Sequence, residues 1–303
     1  MNSEIKDVLL NGSTVDIALR DGKIASISPA VGTAQQVLLP LPVDPHVHLD
    51  KTFTANRCKP EKPGLFGAIE AMAKDALTWN EIDLRERIGQ ALAEAYRNGM
   101  SAMRSHVDWV QEEAPLAWSV LGEIAQDWRG KVDIQRSSLT PLNMLGDVEF
   151  GAAIASRVYR DREVMGCFVY RNENVDALLE QVFIYASRYE LMLDFHVDEG
   201  LEPEAAAFDR IVELTRHFRM SGRVLCGHAC SLSIRPEGEV SRIISEAAES
   251  GIALTILPTT NLWLQDNQNG VTPRLRGLAP MHELRAAGVP VLLGADNVSD
   301  PFF

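Results

Sequence analysis

The sequence contains no continuous apolar run of about 18 residues, so no transmembrane helix is expected. It also lacks basic charge: 29 Lys and Arg stand against 42 Asp and Glu, a formal net charge of −13. Such a surface repels phosphate backbones and anionic lipid, so neither nucleic acid nor membrane is an expected partner. The start, MNSEIKDVLLNG, lacks the basic-then-apolar pattern of a signal peptide, and a cytosolic (cytoplasmic) location is the expectation. Cysteine is scarce. Cys58, Cys167, Cys226 and Cys230 are the four present, and in a long cytosolic chain they are expected to be reduced. Cys226-Gly-His-Ala-Cys230 resembles a metal knuckle on one strand face, but the chelate would be cramped and has no second Cys/His pair nearby. Packed, inert thiols are the better expectation. There is no fixed-period repeat and no low-complexity tract.

What is present is a chain of 303 residues with 46% hydrophobic composition, ample for one large core and a small appended unit. Residues 1–40 carry short β-like runs punctuated by Asn11-Gly12 and Asp21-Gly22, which are hairpin signals. A small antiparallel unit is expected there. From residue 41 to 303 the texture alternates between strand and helix. Strands are expected at 38–48, 101–109, 132–140, 164–170, 192–199, 223–229, 252–258 and 289–297. Helices are expected at 82–98, 116–128, 175–189, 202–219, 240–250 and 281–287. Several of these end near Gly99, Gly130, Gly222, Gly251 or Gly288, as helix C-termini do.

Eight strands separated by helices are the count of a closed parallel (β/α)8 TIM barrel, an α/β fold. A doubly wound open sheet would want a glycine-rich phosphate loop after its first strand. Asp44-Pro-His-Val-His-Leu-Asp50 contains none. The chain stops at Phe303, just past the eighth strand, so the barrel is expected to lack its last covering helix, as in a truncated gene product.

Five of the seven histidines fall at or near expected strand C-termini, the rim where barrel active sites are built: His46, His48, His106, His196 and His228. In His46-Val-His48, residues i and i+2 of a strand point the same way, so two imidazoles could share one cation. His196, across the barrel, would supply a third. Asp296 closes an apolar run and is unlikely to sit there without a partner. It could bind the metal, orient water or cap a turn. Glu199, three residues after His196, could shuttle protons. His228 could stabilise a developing oxyanion or be a satisfied core histidine. His106 is as well explained by structural hydrogen bonding as by a site role.

These stretches resemble the cytosine deaminase branch of the amidohydrolase superfamily. The resemblance rests on Asp44-Pro-His-Val-His-Leu-Asp-Lys51, Arg104-Ser-His-Val-Asp108, Asp194-Phe-His-Val-Asp-Glu199, Gly227-His-Ala229, Asn261-Leu-Trp-Leu-Gln265 and Gly294-Ala-Asp-Asn-Val-Ser-Asp-Pro-Phe302. It implies one divalent metal, zinc or iron, on His46, His48, His196 and Asp296. It implies Glu199 as proton carrier and His228 as the group that activates water or binds the intermediate, with Asp296 catalytic as well as ligating. It implies that residues 1–40 belong to a β-sandwich flanking the barrel. Binuclear relatives carry a bridging lysine on strand four, and Val164-Met-Gly-Cys-Phe-Val-Tyr170 has none.

Three departures bear on the substrate. The glutamine that follows strand three in cytosine deaminases is missing from Leu139-Thr-Pro-Leu-Asn143, where Asn143 stands as a substitute. Strand eight closes in Asp296-Asn297, as in relatives acting on N-isopropylammelide, and Trp263 replaces a polar histidine. The expected activity is therefore hydrolytic deamination of a small nitrogen heterocycle, cytosine-like, with Asn143 or Asn297 on its edge and Phe302 against its face. The expected partner is that small molecule, with homo-oligomerisation open. The alternatives are hydrolysis of an N-alkylamino-triazine or cyclic amide at the same site, or a truncated, catalytically silent paralogue.

Overall fold

The computed structural model describes residues 2–303. Two compact units divide the chain, Met1–Pro42 and Val43–Phe303.

In the first unit, β1 (Asn2–Leu10), β2 (Ser13–Arg20), β3 (Lys23–Pro29) and β4 (Gln36–Val37) form one sheet in the order β3-β2-β1-β4. The first three are joined as antiparallel hairpins, and β4 adds parallel to β1. Asn11 and Gly12 have φ of 50° and 83°, and Asp21 and Gly22 have φ of 52° and 75°. Positive φ at both central residues matches the twist of the flanking strands, and these residue types tolerate it. Alternation in β2 turns Val15 and Ile17 inward, where they meet Val8. The unit is a single four-stranded sheet.

The second unit is the barrel. Its strands are β5 (Val43–Val47), β6 (Ala102–Asp108), β7 (Asp133–Pro141), β8 (Val164–Val169), β9 (Leu193–Val197), β10 (Val224–His228), β11 (Ala253–Ile256) and β12 (Val291–Leu293). They form one eight-stranded sheet in chain order, every pair parallel. The eight lie in the eight regions where strands were expected. The first is shorter than the expected 38–48, because Pro40 and Pro42 break the extension before Val43 and Pro45 cannot donate to a ladder.

Helices fill each interval. Two follow β5: α1 (Leu65–Ala76) and α2 (Glu81–Arg97). Then come α3 (Leu116–Asp127) after β6, and α4 (Leu142–Leu145) and α5 (Val148–Asp161) after β7. They continue with α6 (Val175–Arg188), α7 (Ala207–His217) and α8 (Glu237–Ser250). Last are α9 (Pro258–Leu264) and α10 (Met281–Ala286), both between β11 and β12. Residues 294–303 contain no helix.

The sequence logic is clear in α2. Asn80 caps it by accepting from the Asp83 amide, and acidic Glu81 and Asp83 lie in the first turn. Leu84, Ile88, Ala91 and Leu92 form its buried stripe. Each buried Leu or Ile contributes about 2 kcal/mol of transfer free energy. The chain leaves at Gly99, φ 81°, a conformation that favours glycine. The core lies between barrel and helices, and β9 and β10 are buried along their whole length. No helix of the described residues is long and apolar enough to cross a membrane.

Candidate metal centre

The barrel closes through the residues that matter most. Val47 makes an isolated parallel bridge with Asp296, beyond the end of β12. The Asp296 amide donates to the His46 carbonyl at 2.9 Å, and the His48 amide donates to the Asp296 carbonyl at 3.0 Å. The His-Val-His segment thus clasps the Asp296 peptide from both sides. Asp296 is not the last residue of a regular strand, as the sequence suggests. It follows a break and has φ 66°, a strained value for a residue with a side chain. Asp44 supports the turn by accepting from the amides of His46 (3.1 Å) and Ala295 (3.2 Å).

Two glycines make room. A Cβ on Gly227 would stand 2.8 Å from the His46 ring carbon Cε1, and one on Gly294 would stand 3.0 Å from the His46 Cβ. Both positions require the absence of a side chain.

His46, His48, His196, His228 and Asp296, far apart in the chain, converge here. The Asp296 Oδ1 lies 3.2 Å from His48 Nε2 and 3.5 Å from His46 Nε2. His196 Nε2 lies 3.2 Å from His48 Nε2. Ligand atoms of His46, His196, His228 and Asp296 fall within 4.8 Å of one another, as do those of His46, His48, His106 and His196. The expected quartet is divided between these two sets, which share His46 and His196. No cysteine belongs to either, and Cys226 and Cys230 are buried free thiols, as packed residues are.

The residues fit a cation. Both His46 ring nitrogens, Nδ1 of His48 and of His196, Nε2 of His228 and Oδ2 of Asp296 are buried without a hydrogen-bond partner. Buried polar groups are rarely left so, and with His48 Nε2 lying 3.2 Å from both His196 Nε2 and Asp296 Oδ1 the cluster calls for a positive charge. Their protonation suits it. Burial holds His48 and His196 well below the usual imidazole range, with Lys51 adding to the effect on His48 and His46 adding to it on His196. Burial pushes Asp296 up, but the adjacent His46 and His48 rings reverse this and hold it well below the carboxylate range. His48 and His196 therefore offer neutral nitrogens and Asp296 an ionised oxygen, donors that suit a borderline divalent metal.

Glu199 stands beside the cluster. Its Oε1 is 3.5 Å from His228 Nδ1 and accepts from Asn261 Nδ2 at 3.4 Å. Asn261 Nδ2 is also 3.1 Å from His228 Nδ1. Gln265, which caps the C-terminus of α9, donates to the Glu199 carbonyl. The preceding Asp198 accepts from the Ala207 and Phe208 amides at 3.0 and 2.9 Å, fixing the loop. Burial drives the Glu199 carboxyl well above its usual range, and repulsion from Asp296 adds to this. Burial holds the His228 imidazole down, at about 3. His228 has φ 71° and lies at the end of β10.

A cavity of about 670 Å³ opens on this face. His48, His196, Glu199, His228 and Asp296 line it, together with Asn143, Asn297 and Phe302, the three residues expected to meet substrate. Asn297 is already engaged, donating to Asp300 Oδ2 at 2.7 Å. One face of α1 forms a wall through Leu65, Phe66, Ile69 and Met72, opposite aromatic Phe168 and Tyr170.

Several residues that line the cavity or support Glu199 were not singled out from sequence. Lys51 is buried, pairs with Asp108 Oδ1 at 2.9 Å and lies over the Phe302 ring at 5.1 Å. Asp50 is buried, and burial and Asp108 together push it up to about 7. Their signal was adjacency: both directly follow the His46–Leu49 stretch. For Asn261 and Gln265 it was the i, i+4 spacing of a helix, which puts both on one face.

An eight-stranded parallel barrel with a carboxylate–imidazole cluster at its C-terminal rim is an arrangement that could hold a metal ion where barrel enzymes build their active sites. The chain belongs to the amidohydrolase family: the family model matches residues 83–303. A pterin deaminase from Rhizobium rhizogenes is 33% identical over 299 residues, covering 95% of this chain and 68% of that protein. N-isopropylammelide isopropyl amidohydrolase from Pseudomonas sp. (strain ADP) is 22% identical, covering 85% of this chain and 62% of that protein. Among solved structures, 5-methylcytosine deaminase from Klebsiella pneumoniae, liganded with phosphonocytosine, superposes with a TM-score of 0.88 at 23% identity. The match covers 100% of this chain and 77% of that one.

Proposed function

We propose that this protein is a metal-dependent deaminase that hydrolyses the exocyclic amino group of a nitrogen heterocycle, with a bicyclic pterin-type ring favoured over a single cytosine-like ring. The observation that carries this is the convergence of unpartnered imidazole nitrogens and the Asp296 carboxylate beside a buried Glu199. The relative at 33% identity supports the larger ring, as does a cavity of about 670 Å³ with aromatic walls.

His46, His48, His196 and Asp296 would hold one divalent cation, zinc or iron, which when bound supplies Lewis acidity and makes water nucleophilic near neutral pH. The chain's own residues do the rest. Glu199 takes a proton from the attacking water and delivers it to the departing nitrogen, a task that suits a carboxyl with a raised pKa. His228, steadied by Asn261, faces the oxygen of the addition intermediate. Water oxygen bonds to the amino-bearing carbon, the C–N bond breaks, and ammonia leaves as the carbonyl forms. Asn143 or Asn297 would bond the ring edge, and Phe302 would lie against its face. The partner is this small molecule, in the cytosol, with no role for nucleic acid or membrane.

Metal-replete protein assayed for ammonia against pterin, cytosine, 5-methylcytosine, isoguanine, creatinine and N-alkylamino-triazines tests the proposal. Stoichiometric ammonia, fastest from pterin, is expected. Alkylamine released without ammonia would transfer the assignment to the N-alkylamino hydrolases. Well under one metal per chain and no turnover would leave a silent paralogue.

A further inference from the structure

Below the expected ligands lies a group that none of this chemistry uses. Arg104 and His106 sit two apart on β6, and Asp194 and His196 sit two apart on β9, so each pair shares a strand face. Arg104 Nη1 donates to Asp194 Oδ2 at 2.6 Å, and Arg104 Nε donates to Gln135 Oε1 at 2.8 Å. The same Asp194 oxygen is 3.2 Å from His106 Nε2. His106 and Asp194 are fully buried.

The His106 ring lies tilted against His46, with centroids 4.1 Å apart, and edge-on to His196 at 4.6 Å. Neither of its nitrogens completes a well-aligned hydrogen bond. A histidine kept only for packing would have its nitrogens satisfied. This one instead touches two expected ligands on one side and a charged pair on the other.

We propose that His106 is a positioning residue: braced by the Arg104–Asp194 pair, it fixes the ring orientations of His46 and His196 for the cation. Partners behind a ligand set orient it, and their loss typically weakens metal binding 10–100-fold. The proposal rests on the metal-centre assignment above, and its test is built to separate the two.

Cobalt(II) and zinc affinities of the full chain would be measured by competition with a chromophoric chelator, for wild type, His106→Phe and His106→Gln. Gln can present an amide nitrogen near the position of Nε2, where Asp194 awaits a donor. Phe keeps the ring volume and loses both nitrogens. His106→Phe is expected to bind about 10–100-fold more weakly, with His106→Gln recovering part of the loss. The cobalt absorption bands should shift while keeping the intensity of an unchanged ligand number. Metal-free melting temperatures identify a variant that fails to fold, and His106→Gln then carries the comparison. Wild-type affinity in both variants overturns the proposal. So does a cobalt spectrum that has lost one nitrogen, which would make His106 a ligand. If wild type itself binds no cation, the metal-centre assignment fails first and the positioning role falls with it.

Discussion

Two buried imidazole–carboxylate pairs flank the centre, and they behave oppositely. His106 and Asp194 approach to 3.2 Å, His228 and Glu199 to 3.5 Å, and all four residues are buried. Burial pushes both carboxyls up. For Asp194, interaction with His106 and then with Arg104 overcomes that push and holds the group well below its usual range. Glu199 has no such cation in contact. Asp296 repels its charge, Lys51 offsets only part of this, and the carboxyl stays raised. The same residue chemistry thus gives a fixed anion on one side and a group able to accept and release a proton on the other. Nearby charge, more than burial, sets the opposite directions of the two carboxyls.

The largest effect expected from breaking this contrast is at Glu199. Glu199→Gln should lower kcat by about 10²–10⁴-fold, because the proton carrier is gone, while metal content stays at the wild-type level. Ammonia release and metal analysis on the same sample check it; near-normal turnover would remove Glu199 from the mechanism. Asp194→Asn should act on stability instead. It strips the Arg104 guanidinium of its counter-ion and should cost about 4 kcal/mol in denaturant unfolding. A loss below about 1 kcal/mol would mean the pair is solvated.

The smallest effect is on pH dependence. In metal-free protein, burial holds His106 at about 4, against 6.5 when unfolded. Between those values the unfolded chain binds more protons, so this contribution to stability is complete above pH 6.5 and is lost as pH falls through about 4. It amounts to about 3 kcal/mol. Asp198 and Asp300, raised to about 6 by burial, work the other way: the folded chain binds more protons, and their contribution fades as pH rises from 3.8 to about 6. His106→Gln should therefore flatten the acid limb of a stability–pH curve relative to wild type. An unchanged limb would show that His106 keeps an ordinary pKa.

Much of this architecture was legible because barrels write it plainly. Alternating strand and helix texture gave the eight strands, and the Asn-Gly and Asp-Gly turns gave the hairpins. The i, i+2 rule picked out His46 and His48. The same rule puts Arg104 with His106 and Asp194 with His196 on shared faces, but the charged pair beneath them joins two different strands. What hid it is that strand parity says which face a residue shares, never which opposing residue it meets.

Other misses have local causes. Helix α1 turns its apolar stripe toward a cavity, begins after Gly64 at φ 82° and contains Gly67, so its pattern is weak. Helix α5 likewise carries Gly151 where a Cβ would stand 2.4 Å from the Leu145 carbonyl. Asp296 looked like a strand terminus because an apolar run precedes it. Its left-handed φ is a tertiary outcome, set by the clasp of His46 and His48.

That clasp has a thermodynamic consequence. Three of the four residues that would grip the cation, His46, His48 and Asp296, also make the hydrogen bonds that finish the barrel. An ion held there would therefore also hold the first and last strands together, and local unzipping between them would weaken its binding. Occupancy and closure would then be two faces of a single equilibrium, and amide exchange at this joint would read the state of the centre without touching the chemistry.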